Sequence, residues 1–230
     1  GMVILRSNAA QWLGKNPPSI PTFIGGCNHP GQLGAVENLE SPEGKITGVT
    51  YYLPKKNQFE VFTAILPTLE SVLLLLEKGH PSSKIDQDGT KQVCNELGIG
   101  YYERLCSSKE DAVQAVQDHA GKVSAIIIGN QAVVIDNALA IIEAAGDIPV
   151  LSYSSKPAKV GALGGFVADD AKLGQMLAES LVEVVVHKKP IQDVPVKFDP
   201  EPKFYLNAQA VERLGVEIPY SILESATLIE

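Results

Sequence analysis

Short runs that are almost wholly apolar, at 3–5, 22–24, 72–76, 125–128, 150–152 and 165–167, alternate with stretches of helical periodicity at 91–97, 109–119, 132–145 and 171–187. A strand that is apolar at every position is covered on both faces, as in a parallel sheet flanked by helices. The alternation therefore predicts an α/β chain built from parallel β-α-β units and argues against an all-β or all-α domain. Local signals agree. Gly98 and Gly146 stand where two of these helices should stop. Ser108 precedes Asp111 at the spacing of a capping box with the shorter acid. Around 59–69 another helical pattern ends at Pro67.

With 230 residues the chain can form one large or two modest domains. Its formal net charge of -8 offers no basic field to a polyphosphate backbone, and Lys55-Lys56 and Lys188-Lys189 are isolated pairs. Nucleic acid is excluded as an expected partner. Cys27, Cys94 and Cys106 cannot all pair and show no zinc spacing, which leaves one disulfide open and says little about redox compartment. The longest apolar run, 72–76, is far short of the roughly 20 residues of a membrane span. Phosphate-loop, dinucleotide-loop, zinc-protease and nucleophile-elbow motifs are all missing, and His29, His80, His119 and His187 are scattered. No catalytic residue, cofactor or metal is expected.

The segment most informative about function is 20–50, IPTFIGGCNHPGQLGAVENLESPEGKITGVT. Here an apolar strand ends in Gly25-Gly26, turns at His29-Pro30, and a second Gly-Pro-rich loop closes on Thr47-Gly48. Bare backbone at the carboxyl end of a strand is where open α/β sheets receive ligands.

This segment resembles the substrate-binding proteins of an ABC-transporter family whose characterised members take up small solutes, some of them aromatic amino acids. The family pattern runs roughly strand, Asp-Pro, Gly-Leu-Val, Pro-Gly-Gly-Asn, Thr-Gly-Val. The chain answers with Asn28-His29-Pro30, Gly34-Ala35-Val36, Ser41-Pro42-Glu43-Gly44-Lys45 and Ile46-Thr47-Gly48-Val49. The similarity continues through Gly161-Ala162-Leu163, Leu173-Gly174, Asn207-Ala208 and Leu214-Gly215-Val216-Glu217-Ile218-Pro219. It covers nearly the whole chain in order.

The resemblance implies a type I periplasmic-binding-protein-like fold with two parallel-sheet lobes. The first would comprise 1–66 plus 165–193 and the second 67–164 plus 194–230, with crossings near Leu66, Gly165 and Asp193. Residues 3–11 are similar to the family's third strand rather than its beginning, so the first lobe is expected to be incomplete by two β-α units. A bare strand at 3–5 would then invite pairing with a second copy, giving a homodimer through the first lobe.

The implied function is that of an extracytoplasmic, periplasmic solute-binding component of an ABC importer. It would bind a small polar organic molecule, amino acids among the candidates, in an interlobe cleft and deliver it to a permease. The alternative is a ligand-sensing module of a signalling system. Carried over residue by residue, the site comprises Ser7, Asn28, His29, Ser82, Ser83, Asn130, Gln131, Ser152, Tyr153 and Asp169. Blander roles stand beside these. Ser7, Ser82 and Ser83 can cap their own helices, Asn28 and His29 can belong to a turn fixed by Pro30, Tyr153 can be a packed aromatic, and Asp169 reads as a helix cap first. His29 and Gln131 stand where the family has Asp, which removes two partners for a ligand ammonium and makes a neutral or anionic solute at least as good a fit.

Overall fold

The computed structural model describes residues 1–230. In chain order it forms β1 (Met2–Leu5), α1 (Ser7–Lys15), β2 (Thr22–Gly25), β3 (Ile46–Thr50), α2 (Lys55–Ile65) and β4 (Ser71–Glu77). Next come α3 (Pro81–Leu97), β5 (Gly100–Cys106), α4 (Lys109–Asp118), β6 (Ala125–Ile128), α5 (Ala132–Ile135) and α6 (Ala138–Ala145). After these come β7 (Val150–Ser152), α7 (Ser155–Ala158), β8 (Gly164–Val167) and α8 (Asp170–Leu181), which runs on into a π-helical turn, Val182–Val186. The chain closes with a 3-10 turn (Ile191–Asp193), β9 (Lys197–Phe198), β10 (Lys203–Asn207), α9 (Ala208–Leu214), α10 (Tyr220–Ser225) and β11 (Thr227–Ile229).

Two compact units result. Unit 1 is Gly1–Leu53 with Ala168–Pro202, and unit 2 is Pro54–Val167 with Lys203–Glu230. The first change of unit thus falls ahead of α2, where the sequence reading placed it near Leu66. The reason is packing: Phe59, Phe62 and Ile65 of α2 are fully buried in the core of unit 2.

Unit 1 holds a four-stranded sheet in the order β1-β2-β3-β9, parallel throughout. Residues 46–50, read from sequence as the close of a loop, form its third strand. Gly48 explains the mixed signal. Its φ is +142°, and a Cβ there would stand 2.1 Å from the Ile24 carbonyl oxygen, so only glycine lets β3 lie this close to β2. On one face Leu177 and Leu181 of α8, with Val184 and Val185 of the π-turn, pack with Phe23, Ile191 and Val194.

Unit 2 holds a seven-stranded sheet in the order β11-β10-β8-β7-β6-β4-β5. It is parallel except where β10 runs antiparallel to β8. The chain leaves the unit at the end of β8 and re-enters at the start of β10, with Lys203 paired to Val167, so the returning strand must run the other way. In β4 the run 72–76 alternates between two cores: Val72, Leu74 and Leu76 join Phe59, Val93 and Ile127, while Leu73 and Leu75 join Ala115, Ile128 and Ile141. Period-two alternation with both faces covered is what made this run continuously apolar. The three cysteines are buried free thiols, and burial pushes Cys27 and Cys94 up to about 12 and Cys106 up to about 11.

Within unit 2 the strands β5-β4-β6-β7-β8 repeat the doubly wound order 2-1-3-4-5. The connection after β4 passes to one side and the connection after β5 returns across to the other. The carboxyl ends of β4 and β6 are thus the topological switch point of the sheet, the place where such folds receive ligands.

Candidate functional site

In unit 1 the candidate residues follow β1 and β2. Arg6 links β1 to α1 at φ 80°, an outlier for a residue with a side chain, and its N–H donates to the Gly25 carbonyl at 3.0 Å. That turn places Ser7 first in α1, buried, with its hydroxyl accepting the Asn28 N–H at 3.0 Å. The Ser7 hydroxyl also lies 3.4 Å from the Tyr51 hydroxyl. It does not cap its own helix; the capping position is Arg6, which makes no side-chain cap bond.

Asn28 is buried, and its Oδ1 accepts the His29 N–H at 2.9 Å. His29 Nδ1 in turn accepts the Gln32 N–H at 3.3 Å, and the ring stands edge-on to Tyr52 with centroids 4.8 Å apart. Burial lowers the His29 pKa, in the same direction as the acceptor role its Nδ1 takes here. Asp169 caps α8, its Oδ1 accepting the N–H groups of Ala171 at 3.0 Å and Lys172 at 3.4 Å, the helix-cap role its sequence position pointed to first.

In unit 2 the candidates follow β4, β6 and β7. Ser82 and Ser83 are not the cap of α3. His80 takes that position, its Nδ1 accepting the Ser82 N–H at 3.2 Å, with Pro81 next in the helix. Ser83 donates its hydroxyl to the Glu77 carbonyl at 2.6 Å. Ser152 donates to the Ile128 carbonyl at 3.2 Å and accepts the Ser154 N–H at 3.0 Å, so its hydroxyl serves the β6–β7 edge. Asn130 is partly buried at the start of the loop after β6.

Gln131 and Tyr153 meet in a network the sequence did not disclose. Gln131 donates through Nε2 to Asp86 Oδ2 at 2.7 Å. The other oxygen of Asp86 pairs with Lys55 Nζ at 2.9 Å, and both of these side chains are buried. Lys55 Nζ also donates to Gln58 Oε1 at 3.0 Å and sits 3.7 Å from the centroid of the Tyr153 ring. Gln58 is held for this by its own Nε2, which donates to the Phe166 carbonyl at 2.7 Å. The Tyr153 hydroxyl bonds Thr90 at 2.7 Å, and Phe62 stacks with the ring at 6.4 Å. Tyr153 is thus both a packed aromatic and part of a polar cluster.

One polar atom of this cluster is unanswered. Gln131 Oε1 is buried with no hydrogen-bond partner. Native structures rarely leave such an acceptor bare, and the atom invites a donor from a bound molecule or water. Lys55, Gln58, Asp86 and Thr90 were missed in the sequence because Lys55 reads as half of an isolated lysine pair, while Asp86 and Thr90 lie ahead of the helical pattern recognised at 91–97. One clue was present: Gly89 sits inside α3, where glycine costs about 1 kcal/mol relative to alanine. A Cβ there would come within 2.8 Å of Lys55 Cγ, so the glycine clears the path of the lysine stem.

No group of three or more His, Cys, Asp or Glu side chains is arranged to hold a metal ion. No helix is long and apolar enough to cross a membrane.

Comparison with known proteins fits this architecture. A tyrosine-binding protein of Clostridioides difficile is 22% identical over 200 residues, covering 86% of this chain, and the chain spans only 58% of that relative's length. Among solved structures, a conserved domain protein from Vibrio cholerae superposes with a TM-score of 0.87 at 23% identity, over 99% of this chain and 77% of that one. An ABC domain from Streptococcus pneumonia in complex with L-Trp superposes with a TM-score of 0.86 at 23% identity, over 99% and 80%. The sequence profile of the ABC transporter substrate binding protein family matches residues 2–229. The chain therefore belongs to the ABC transporter substrate-binding proteins, a family of solute-binding proteins and not of enzymes.

Proposed function

We propose that this chain is the extracytoplasmic receptor of an ABC importer, and that it hands a small polar organic solute to a permease. The observation that carries the reading is the switch point of unit 2, where Gln131 presents a buried, unanswered acceptor after β6, joined to Tyr153 through Asp86 and Lys55. The solute is taken at the carboxyl-end loops of unit 2; in unit 1, Ser7, Asn28 and His29 stand at the corresponding loops after β1 and β2. The tyrosine and L-Trp named for two relatives make aromatic amino acids the first set to try. Self-association along β1 belongs to the same proposal, since β1 is an outer strand with Val3 and Leu5 exposed. A monomer by light scattering at micromolar concentration removes that part.

The test is a thermal-shift screen of amino acids, carboxylic acids and neutral polar solutes, followed by calorimetry on each hit. Gln131→Leu is expected to weaken the binding of a hit by about 1–3 kcal/mol, because a polar group of the solute loses its partner. Unchanged affinity would remove Gln131 from the site.

A further inference from the structure

Around the Lys55 ammonium, unit 2 assembles the parts of a receptor for a primary ammonium ion. The group has three N–H donors. Asp86 Oδ1 takes one at 2.9 Å, Gln58 Oε1 takes another at 3.0 Å, and the face of Tyr153 lies 3.7 Å away. Carboxylate, amide oxygen and aromatic face are the chemistry by which proteins bind ammonium ligands. Each wall is held from behind: Asp86 by Gln131, Gln58 by the Phe166 carbonyl, and Tyr153 by Thr90 and Phe62. Gly89 leaves room for the lysine stem to reach in.

We infer that Lys55 is a specificity-determining residue, a tethered ammonium that fills this receptor and closes it to an ammonium group of the solute. The inference rests on the proposed solute-binding role and narrows its substrate class. With the cation receptor filled from within, the nearby unsatisfied group is Gln131 Oε1, an acceptor. The solute that suits unit 2 brings a neutral hydroxyl or N–H donor to that oxygen and carries no ammonium there.

Lys55→Ala empties the receptor while leaving its walls in place, and n-propylammonium is a free copy of the deleted end. In a thermal-shift titration against sodium chloride of equal ionic strength, n-propylammonium chloride should raise the midpoint of Lys55→Ala by about 2–4 °C at about five times its dissociation constant, and the shift should go on rising with the logarithm of amine concentration. Wild type should not respond, and Lys55→Ala combined with Asp86→Asn should lose the response. A variant that responds no better than to sodium, or a wild type that responds equally, overturns the inference. If Lys55→Ala does not accumulate folded, its refolding yield from denaturant is read with and without n-propylammonium; a yield that rises with the amine supports the receptor, and an unchanged yield overturns it. For specificity, L-phenylalanine is compared with 3-phenylpropanoate by the midpoint shift each gives. Lys55→Ala should move the preference toward the amino form, and an unmoved preference, equal null shifts included, overturns the specificity role. Absence of any binder in the wild-type solute screen would count against the receptor-of-an-importer reading alone, because the propylammonium titration remains readable without it.

Discussion

In unit 1 the carboxyl-end cluster is neutral and held by backbone: Ser7 takes the Asn28 N–H, Asn28 the His29 N–H, and His29 the Gln32 N–H. In unit 2 the cluster is an ion pair held side chain to side chain, with Gln131 reaching Asp86 across 45 positions and Tyr153 reaching Thr90 across 63. The first kind of site is set by how the chain turns, at the expense of a strained residue, Arg6. The second kind exists only once α2, α3 and the loops after β6 and β7 have packed together. Turn-built groups are positioned by their neighbours in the chain, whereas a buried charge pair is first of all committed to itself.

The sharpest way to break the contrast is to remove one partner of the pair. Asp86→Ala leaves the Lys55 ammonium buried without its counter-charge and the Gln131 amide without its acceptor, and should cost about 3–5 kcal/mol of stability in urea unfolding. Lys55→Met with Asp86→Leu should recover most of that loss, since no uncompensated charge remains. A loss below about 1 kcal/mol in the single variant would mean that water enters and solvates the lysine, and that the cluster is not dry. Next in size, Ser7→Ala deprives the buried Asn28 N–H of its acceptor and should cost about 1–3 kcal/mol, read in the same way. A negligible cost would show that the loop finds another acceptor and that unit 1 is the softer site.

The smallest expected effect is on pH dependence and concerns His80, the cap of α3. Desolvation lowers its pKa, outweighing the opposite pull of Glu77 and Asp86. The folded state then binds fewer protons than the unfolded one, so stability is full above the ordinary histidine value of 6.5 and falls as pH drops from there toward the lowered folded value. Below that the loss is complete. His80→Asn keeps a capping oxygen without the titration, and its stability should fall less than wild type's between neutral and mildly acid pH. Parallel pH profiles for the two proteins would remove His80 as the source.

How far the sequence could be read followed from how each element is buried. Strands 125–128 and 150–152 were delimited as the structure has them, because two-sided burial makes a strand apolar from end to end. Helix 91–97 captured only the last part of α3, Pro81–Leu97. Its first half turns Ser82, Asp86, Gly89 and Thr90 toward the interior, so the apolar period that announces a helix is missing there. Stretch 132–145 splits at Asp136 and Asn137 into α5 and α6, and 171–187 ends in a π-turn. Neither interruption has a proline or glycine to mark it.

By itself the sequence determined the α/β class, the alternation of buried strands and helices, the glycines that end α3 and α6, and the resemblance that the family match confirms. These depend on local propensity and on burial patterns that recur along the chain. Only the tertiary structure decided which polar residues meet: that Ser7 serves Asn28 rather than its own helix, that His80 and not a serine caps α3, and that Lys55, Asp86, Gln131 and Tyr153 form one cluster. A buried polar contact leaves no periodic trace, because its partners lie far apart in sequence and each looks, among its neighbours, like an ordinary surface residue.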